Sequence, residues 1–216
     1  LCFICWSMII EAIDYSDKNN LVILTISGED FSISYDLYND LLLNVDDELS
    51  FATYKEILAD DEFNRAKNIA LSKISYAQKT SFEVEKILKE NDFSSDSIEK
   101  TIDFLNDYGI LNDELYVKSY VSDKHNIARW AKNKISYSLK AKKINEDLIN
   151  TYLDQISDED EYENAYNFAV KKARNDFSIE SKQKVYRYLS GKGFDFDIIN
   201  KVVGELFKWV MAMFIF

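Results

Sequence analysis

The chain has 216 residues, 47% of them apolar, 14% aromatic and 30% charged, with five glycines and no proline. This is enough apolar chain for one or two globular domains and too much for disorder, and the lack of proline favours helices with short connections over a barrel or sandwich. One histidine and two cysteines leave almost nothing for a zinc site or a His-assisted nucleophile, so no metal or cofactor is expected and the chain is read as a binding protein, not an enzyme.

The net charge of −12 is unevenly placed. Residues 1–62 carry 14 acidic and 2 basic side chains and hold all of it, whereas residues 63–216 carry 24 of each sign. Inside the neutral part, 118–143 has eight Lys/Arg against one Asp, 171–192 has seven against two acids, and 145–163 between them has eight acids and no base. Such blocks set up local fields that the net charge conceals, although solvated helix faces of alternating sign give the same pattern.

Residues 1–10 are apolar but lack a basic leader and a small-residue cleavage site, and no apolar run reaches the roughly 20 residues needed to span a bilayer. A cytoplasmic location without membrane contact is expected. Cys2 and Cys5 have CxxC spacing with no second pair, and no metal or redox role is assigned to them. Residues 8–14, 21–27 and 31–35 are β-prone runs separated by Asp17-Lys18-Asn19-Asn20 and Ser27-Gly28-Glu29-Asp30, which predicts a three-stranded antiparallel meander. Asp36 and Ser50 are candidate caps for helices whose apolar residues, Leu37 and Leu41, then Tyr54, Ile57 and Leu58, recur at helical spacing. Beyond about Asp61 everything reads as helix.

The most informative feature is an internal repeat. Val84, Leu88, Phe93, Ile98 and Ile102 recur as Ile135, Leu139, Ile144, Ile149 and Leu153, then as Val185, Leu189, Phe194, Ile199 and Val203, at offsets of 51 and 50. Each copy predicts two amphipathic helices joined by a tight turn. Ser94, Asn145 and Asp195 stand where the second helix is capped, and Asp96, Asp147 and Asp197 follow where a carboxylate meets the positive end of that helix. Upstream helices at 63–74, 115–122 and 162–173, with Ala66/Ala70 matching Ala165/Ala169 at an offset of 99, complete three copies of a three-helix unit. The turn favours a left-handed residue; copy three has Gly193 there, but copies one and two have Asp92 and Lys143, so either the turn of copy two differs or it carries about 1 kcal/mol of strain.

The predicted architecture is therefore mainly α: an acidic β-meander with short helices over 1–61, then three-helix repeats over 62–112, 113–157 and 158–216. The apolar stretch 209–216 is read as a last helical turn packing on the body. Tyr108 and Tyr116, which flank Gly109, are expected to pack between repeats.

These residues resemble the RecX family of regulatory proteins. The run from Ile102 through Asp103-Phe104-Leu105-Asn106-Asp107-Tyr108-Gly109-Ile110-Leu111-Asn112-Asp113 to Tyr116 is similar to the family's junction between first and second repeats. Ala128-Arg129-Trp130 leading to Ile135 and Leu139 resembles its second repeat, and Val185-Tyr186-Arg187-Tyr188-Leu189 through Gly193-Phe194-Asp195 its third. The likeness covers about 62–206, and the strand-rich part resembles the extra N-terminal region of longer members. It implies a curved, elongated array of repeats that lodges in the groove of a RecA filament on single-stranded DNA and limits its growth or activity, in recombination, repair and the SOS response. RecA is the implied partner, single-stranded DNA a possible second one, and a monomer is expected. The acidic total and the two missing turn glycines depart from the family pattern.

At about 100° per residue, Arg129, Lys132, Lys140 and Lys143 fall within an arc of about 80° on the second helix of copy two and form one basic stripe. Lys184 and Arg187 stand on the equivalent helix of copy three. A row of long cations suits phosphates or the carboxylates of a protein groove, although each lysine alone also reads as a solubilising charge. Trp130 and Tyr186 beside them are placed to stack on an unpaired base or to fill core. His125 reads as a surface residue at a helix start. A different class, a stand-alone DNA-binding protein using one copy as a helix-turn-helix, stays open, but its reading helix holds few of the Asn, Gln and Arg that bidentate base readout favours. No nucleotide-binding glycine motif is present, and the acids at 158–161 read as a helix start matched to its dipole.

Overall fold

The computed structural model of the chain describes residues 8–16 and 20–213, with side chains as far as Lys208. Cys2, Cys5, the Asp17-Lys18-Asn19 part of the first turn and the side chains of the apolar tail lie outside the described residues. The chain divides into two units, Leu1–Leu111 and Asn112–Phe216.

In the first unit, β1 (Ile10–Ser16), β2 (Leu21–Ile26) and β3 (Glu29–Ser34) form the expected antiparallel meander in the order β1-β2-β3. The β2–β3 loop is the two residues Ser27 and Gly28 with φ of 52° and 78°, so the turn twists with the strands and sets Ile26 opposite Glu29. Val22, Leu24 and Ile26 alternate onto the inner face, where they meet Ile10, Phe31 and Ile33. Helix α1 (Tyr35–Leu41) is capped by Ser34, whose hydroxyl accepts from the Leu37 amide; Asp36, expected as the cap, sits in its first turn. Ser50 caps α2 (Phe51–Tyr76) as expected.

Helix α2 is 26 residues long and runs through Asp61 and Glu62 without a break, so the expected boundary there falls inside one element. Its first half covers the outer edge of β3. The Ser32 amide donates to Asp61 Oδ1 at 2.8 Å, the Ser34 amide donates to Asp60 Oδ2, and Asn64 Nδ2 donates to the Ser32 carbonyl at 3.0 Å. An edge that would otherwise recruit another strand is thereby closed. Its second half supplies Ala66 and Ala70 to a separate core with Val84 and Leu88 of α3 (Ser81–Glu90) and Ile98 and Leu105 of α4 (Ser95–Asp107).

The second unit contains α5 (Asp113–Ser122), a π-helical turn (Asp123–Ile127), α6 (Lys132–Ala141) and α7 (Glu146–Leu153), followed by α8 (Asp158–Ala173), α9 (Ile179–Gly191) and α10 (Phe196–Met213). The apolar residues that defined the repeat all face their own cores: Ile135, Leu139, Ile144, Ile149 and Leu153 in one, Val185, Leu189, Phe194, Ile199 and Val203 in the other.

The three turns are alike. Asp92, Lys143 and Gly193 have φ of 60°, 58° and 91°. In each, the amide one residue later reaches back to the carbonyl of the last buried leucine: Phe93 to Leu88, Ile144 to Leu139 and Phe194 to Leu189, all at 3.3 Å. This is a Schellman closure, and copy two keeps it with a lysine in the left-handed position. Glycine in copy three has a further cause: a Cβ at Gly193 would stand 3.2 Å from both Cβ and N of Lys134. Tyr108 lies against Phe104 with the rings tilted by 37°, and Tyr116 stacks on Tyr120, each pair within its own unit.

Candidate interaction surface

The basic block of the second unit does not lie on a single helix. The π-helical turn after α5 carries the chain through Ala128 to Arg129, whose φ of 56° is left-handed, and then to an extended Ala131 from which α6 starts. Arg129 therefore precedes α6 and Lys143 follows it in the turn, so the expected arc of four cations on one helix is corrected to two, Lys132 and Lys140. Both have carboxylate partners. Lys140 bonds Glu146 Oε1 at 2.5 Å, and Lys132 Nζ lies 3.5 Å from Asp158 Oδ1 with its side chain only 23% exposed.

Lys132 belongs to a joint between the second and third repeats. Helix α6 has no capping side chain of its own, because Ala131 occupies the cap. The carboxylate of Glu161 on α8 takes over, accepting from the Lys132 amide at 3.1 Å. Glu161 is 4% exposed, and burial pushes its carboxyl above the usual range despite that amide and the Lys132 charge. Asn133 Nδ2 donates to Asp195 Oδ1 at 2.6 Å, and Gly193 rests on Lys134. The acids at the start of α8 are dipole-matched as expected, but the fourth, Glu161, also serves its neighbour.

His125 is a second correction. It is 5% exposed, within the π-helical turn, with Nδ1 3.4 Å from the Trp130 carbonyl and its own carbonyl accepting from Asn164 Nδ2 at 3.2 Å. Burial holds its imidazole below the ordinary value, the nearby Trp130 carbonyl and Asp160 opposing.

Trp130 is half-buried against the core of the second repeat. Lys134 Nζ sits 3.8 Å from its ring centroid and Lys124 Nζ 5.1 Å away, with Lys124 also 5.2 Å from the Tyr120 ring. Neither lysine was singled out by the sequence, since only their place in the basic block marked them. On α9, Lys184 and Arg187 are exposed; Lys184 borders a surface cavity of about 560 Å³ with Lys171, Lys172 and Arg174. Tyr186 packs edge-on against Phe196. Among the described residues no group of three or more His, Cys, Asp or Glu is placed to hold a metal ion, and no helix is long and apolar enough to cross a membrane.

Three family models match the chain in order: the first three-helix domain of RecX over residues 66–105, the second over 112–153 and the third over 158–203. Regulatory protein RecX of Clostridium perfringens (strain 13 / Type A) is 35% identical over 166 residues, covering 74% of this chain and 77% of that protein. The Finegoldia magna protein of the same name is 29% identical over 216 residues, covering 91% and 99%. A crystal structure of regulatory protein RecX superposes with a TM-score of 0.75 at 25% identity over 90% of this chain and 98% of that one. The crystal structure of RecX from Lactobacillus salivarius gives 0.63 at 30% identity over 68% and 97%.

Proposed function

The chain belongs to the RecX family, and from that premise we propose that it regulates the RecA recombinase by binding the RecA filament on single-stranded DNA and inhibiting it. The observation that carries this reading is the presence of all three RecX domains in sequence order, each built on its own core. The surface offered to the partner is cationic and comprises Arg129, Lys132, Lys140 and Lys143 of the second repeat, Lys184 and Arg187 of the third, and Trp130 beside them. The carboxylate now paired with Lys140 does not bar that role, because an exposed ion pair contributes below about 1 kcal/mol and exchanges readily for another anion, whereas Lys132, 23% exposed, reaches the surface only in part. The helix-turn-helix reading is disfavoured: the N-terminal end of α6, which would enter a major groove, is occupied by Glu161, Asp195 and Gly193.

The test is RecA-driven strand exchange and ATP hydrolysis with this protein added well below the RecA concentration. Inhibition is expected, and no effect up to equimolar amounts would overturn the reading. The triple variant Arg129→Glu, Lys140→Glu, Lys143→Glu should weaken co-sedimentation with RecA filaments while helical content stays unchanged. Lys132 is left intact because a carboxylate there would face the buried Glu161.

A further inference from the structure

Three lysines outside the set just named share one face of the second unit. Lys124 and Lys134 lie over Trp130, and Lys192 lies 5.2 Å from the Phe168 centroid and 5.3 Å from that of Tyr188. Lys192 directly precedes Gly193, the residue packed on Lys134, so the second and third repeats bring their cations together at the joint. Desolvation, then the charges of Lys192 and Lys124, hold the Lys134 ammonium below its ordinary value. Among the described residues none of the three lysines has a carboxylate within ion-pair distance, in contrast to Lys132 and Lys140. Like charges gathered without a counter-charge cost free energy in the unbound protein, and a bound anion recovers it.

We propose that Lys124, Lys134 and Lys192 form a contact for the phosphate backbone of an unpaired nucleic acid strand, with Trp130, Phe168 and Tyr188 acting as rests for the lysines and not as platforms for bases. The inference rests on the regulatory reading above, which puts the protein against a filament on single-stranded DNA. Three ammonium groups acting as point charges, with no carboxylate among the described residues within ion-pair distance, complement the closely repeated single charges of a phosphate backbone. The aromatic faces are engaged by ammonium groups, so recognition follows charge and not base identity.

The experiment is fluorescence anisotropy of the full chain with labelled oligothymidylate and with an abasic strand, each about 30 nucleotides long, across a salt series. Both strands should bind alike. The triple variant Lys124→Gln, Lys134→Gln, Lys192→Gln should bind at least roughly tenfold more weakly, with the log–log salt slope smaller by about 2, while Lys182→Gln leaves both unchanged. An unchanged melting temperature in the triple variant assigns the loss to contact; should that variant be unstable, Lys192→Gln alone should lower the slope by about 0.7. Absence of strand binding, an unchanged slope, failure of the abasic strand to bind, or stronger binding of polyglutamate than of oligothymidylate would each overturn the proposal. No recombinase is present in these measurements. A protein that binds the strand but leaves strand exchange untouched would sink the regulatory reading alone, and one that slows exchange without binding the strand would sink this one.

Discussion

Lys143 holds a left-handed backbone that glycine adopts freely, and nothing in its turn requires the side chain. Lys143→Gly is therefore expected to stabilise the protein by up to about 1 kcal/mol, read as a higher urea midpoint at constant m-value. The reverse holds at Gly193. Gly193→Ala adds strain at φ 91° and drives a methyl to 3.2 Å from the Lys134 backbone, and should cost about 1–3 kcal/mol. His125 adds a pH dependence with a definite sign. Its folded value is lowered from 6.5, so the unfolded chain takes up the proton first. The stability it contributes is intact above that ordinary value and is lost as pH falls through the folded one. Between about pH 7.5 and pH 5.5 the wild-type melting temperature should fall further than that of His125→Gln; parallel curves would show that the burial of His125 is not linked to protonation.

At the scale of elements, two carboxylates 99 residues apart hold helix starts that belong to other elements. Glu62 on α2 accepts from the Ser94 amide at 2.8 Å and from the hydroxyls of Ser94 and Ser97, both at 2.6 Å, at the start of α4; Glu161 on α8 serves the start of α6. Those hydrogen bonds hold the Glu62 carboxyl below its usual range against a desolvation that pushes it up. Glu161→Ala leaves the part-buried Lys132 amide without its acceptor and should cost about 1–3 kcal/mol in chemical denaturation, more than Glu62→Ala, since Ser94 still caps α4. The apolar spacing of the repeats was legible because each copy buries the same positions through local helix geometry, and the meander because a Ser-Gly turn and alternating Val, Leu and Ile carry their own signal. The roles of Glu161, His125 and Lys134 were not legible, because each depends on a contact between the second and third repeats: Glu161 with the Lys132 amide 29 residues away, His125 with Asn164 39 residues away, and Lys134 with Gly193. The helical arc through Arg129 failed for a local reason: a π-helical turn and one left-handed residue break the phase before α6 begins.

Across the whole molecule the charge asymmetry follows the two units. Residues 1–111 hold 22 acids and 9 bases, and residues 112–216 hold 16 acids and 17 bases. An acidic total thus coexists with a second unit that is electrostatically open to anions. Because the cores of the second and third repeats lie wholly within Asn112–Phe216, that segment made alone should give a helical spectrum and a cooperative melt; a non-cooperative melt would mean that it depends on Leu1–Leu111.

The uninterrupted α2 has a mechanical corollary. One rigid shaft carries the sheet at one end and the first repeat's core at the other, so their mutual orientation is indexed residue by residue. Removing a single residue midway would rotate one payload against the other by about 100°. Insertions in this stretch are consequently tolerated only in whole turns, a constraint that a flexible tether would never impose.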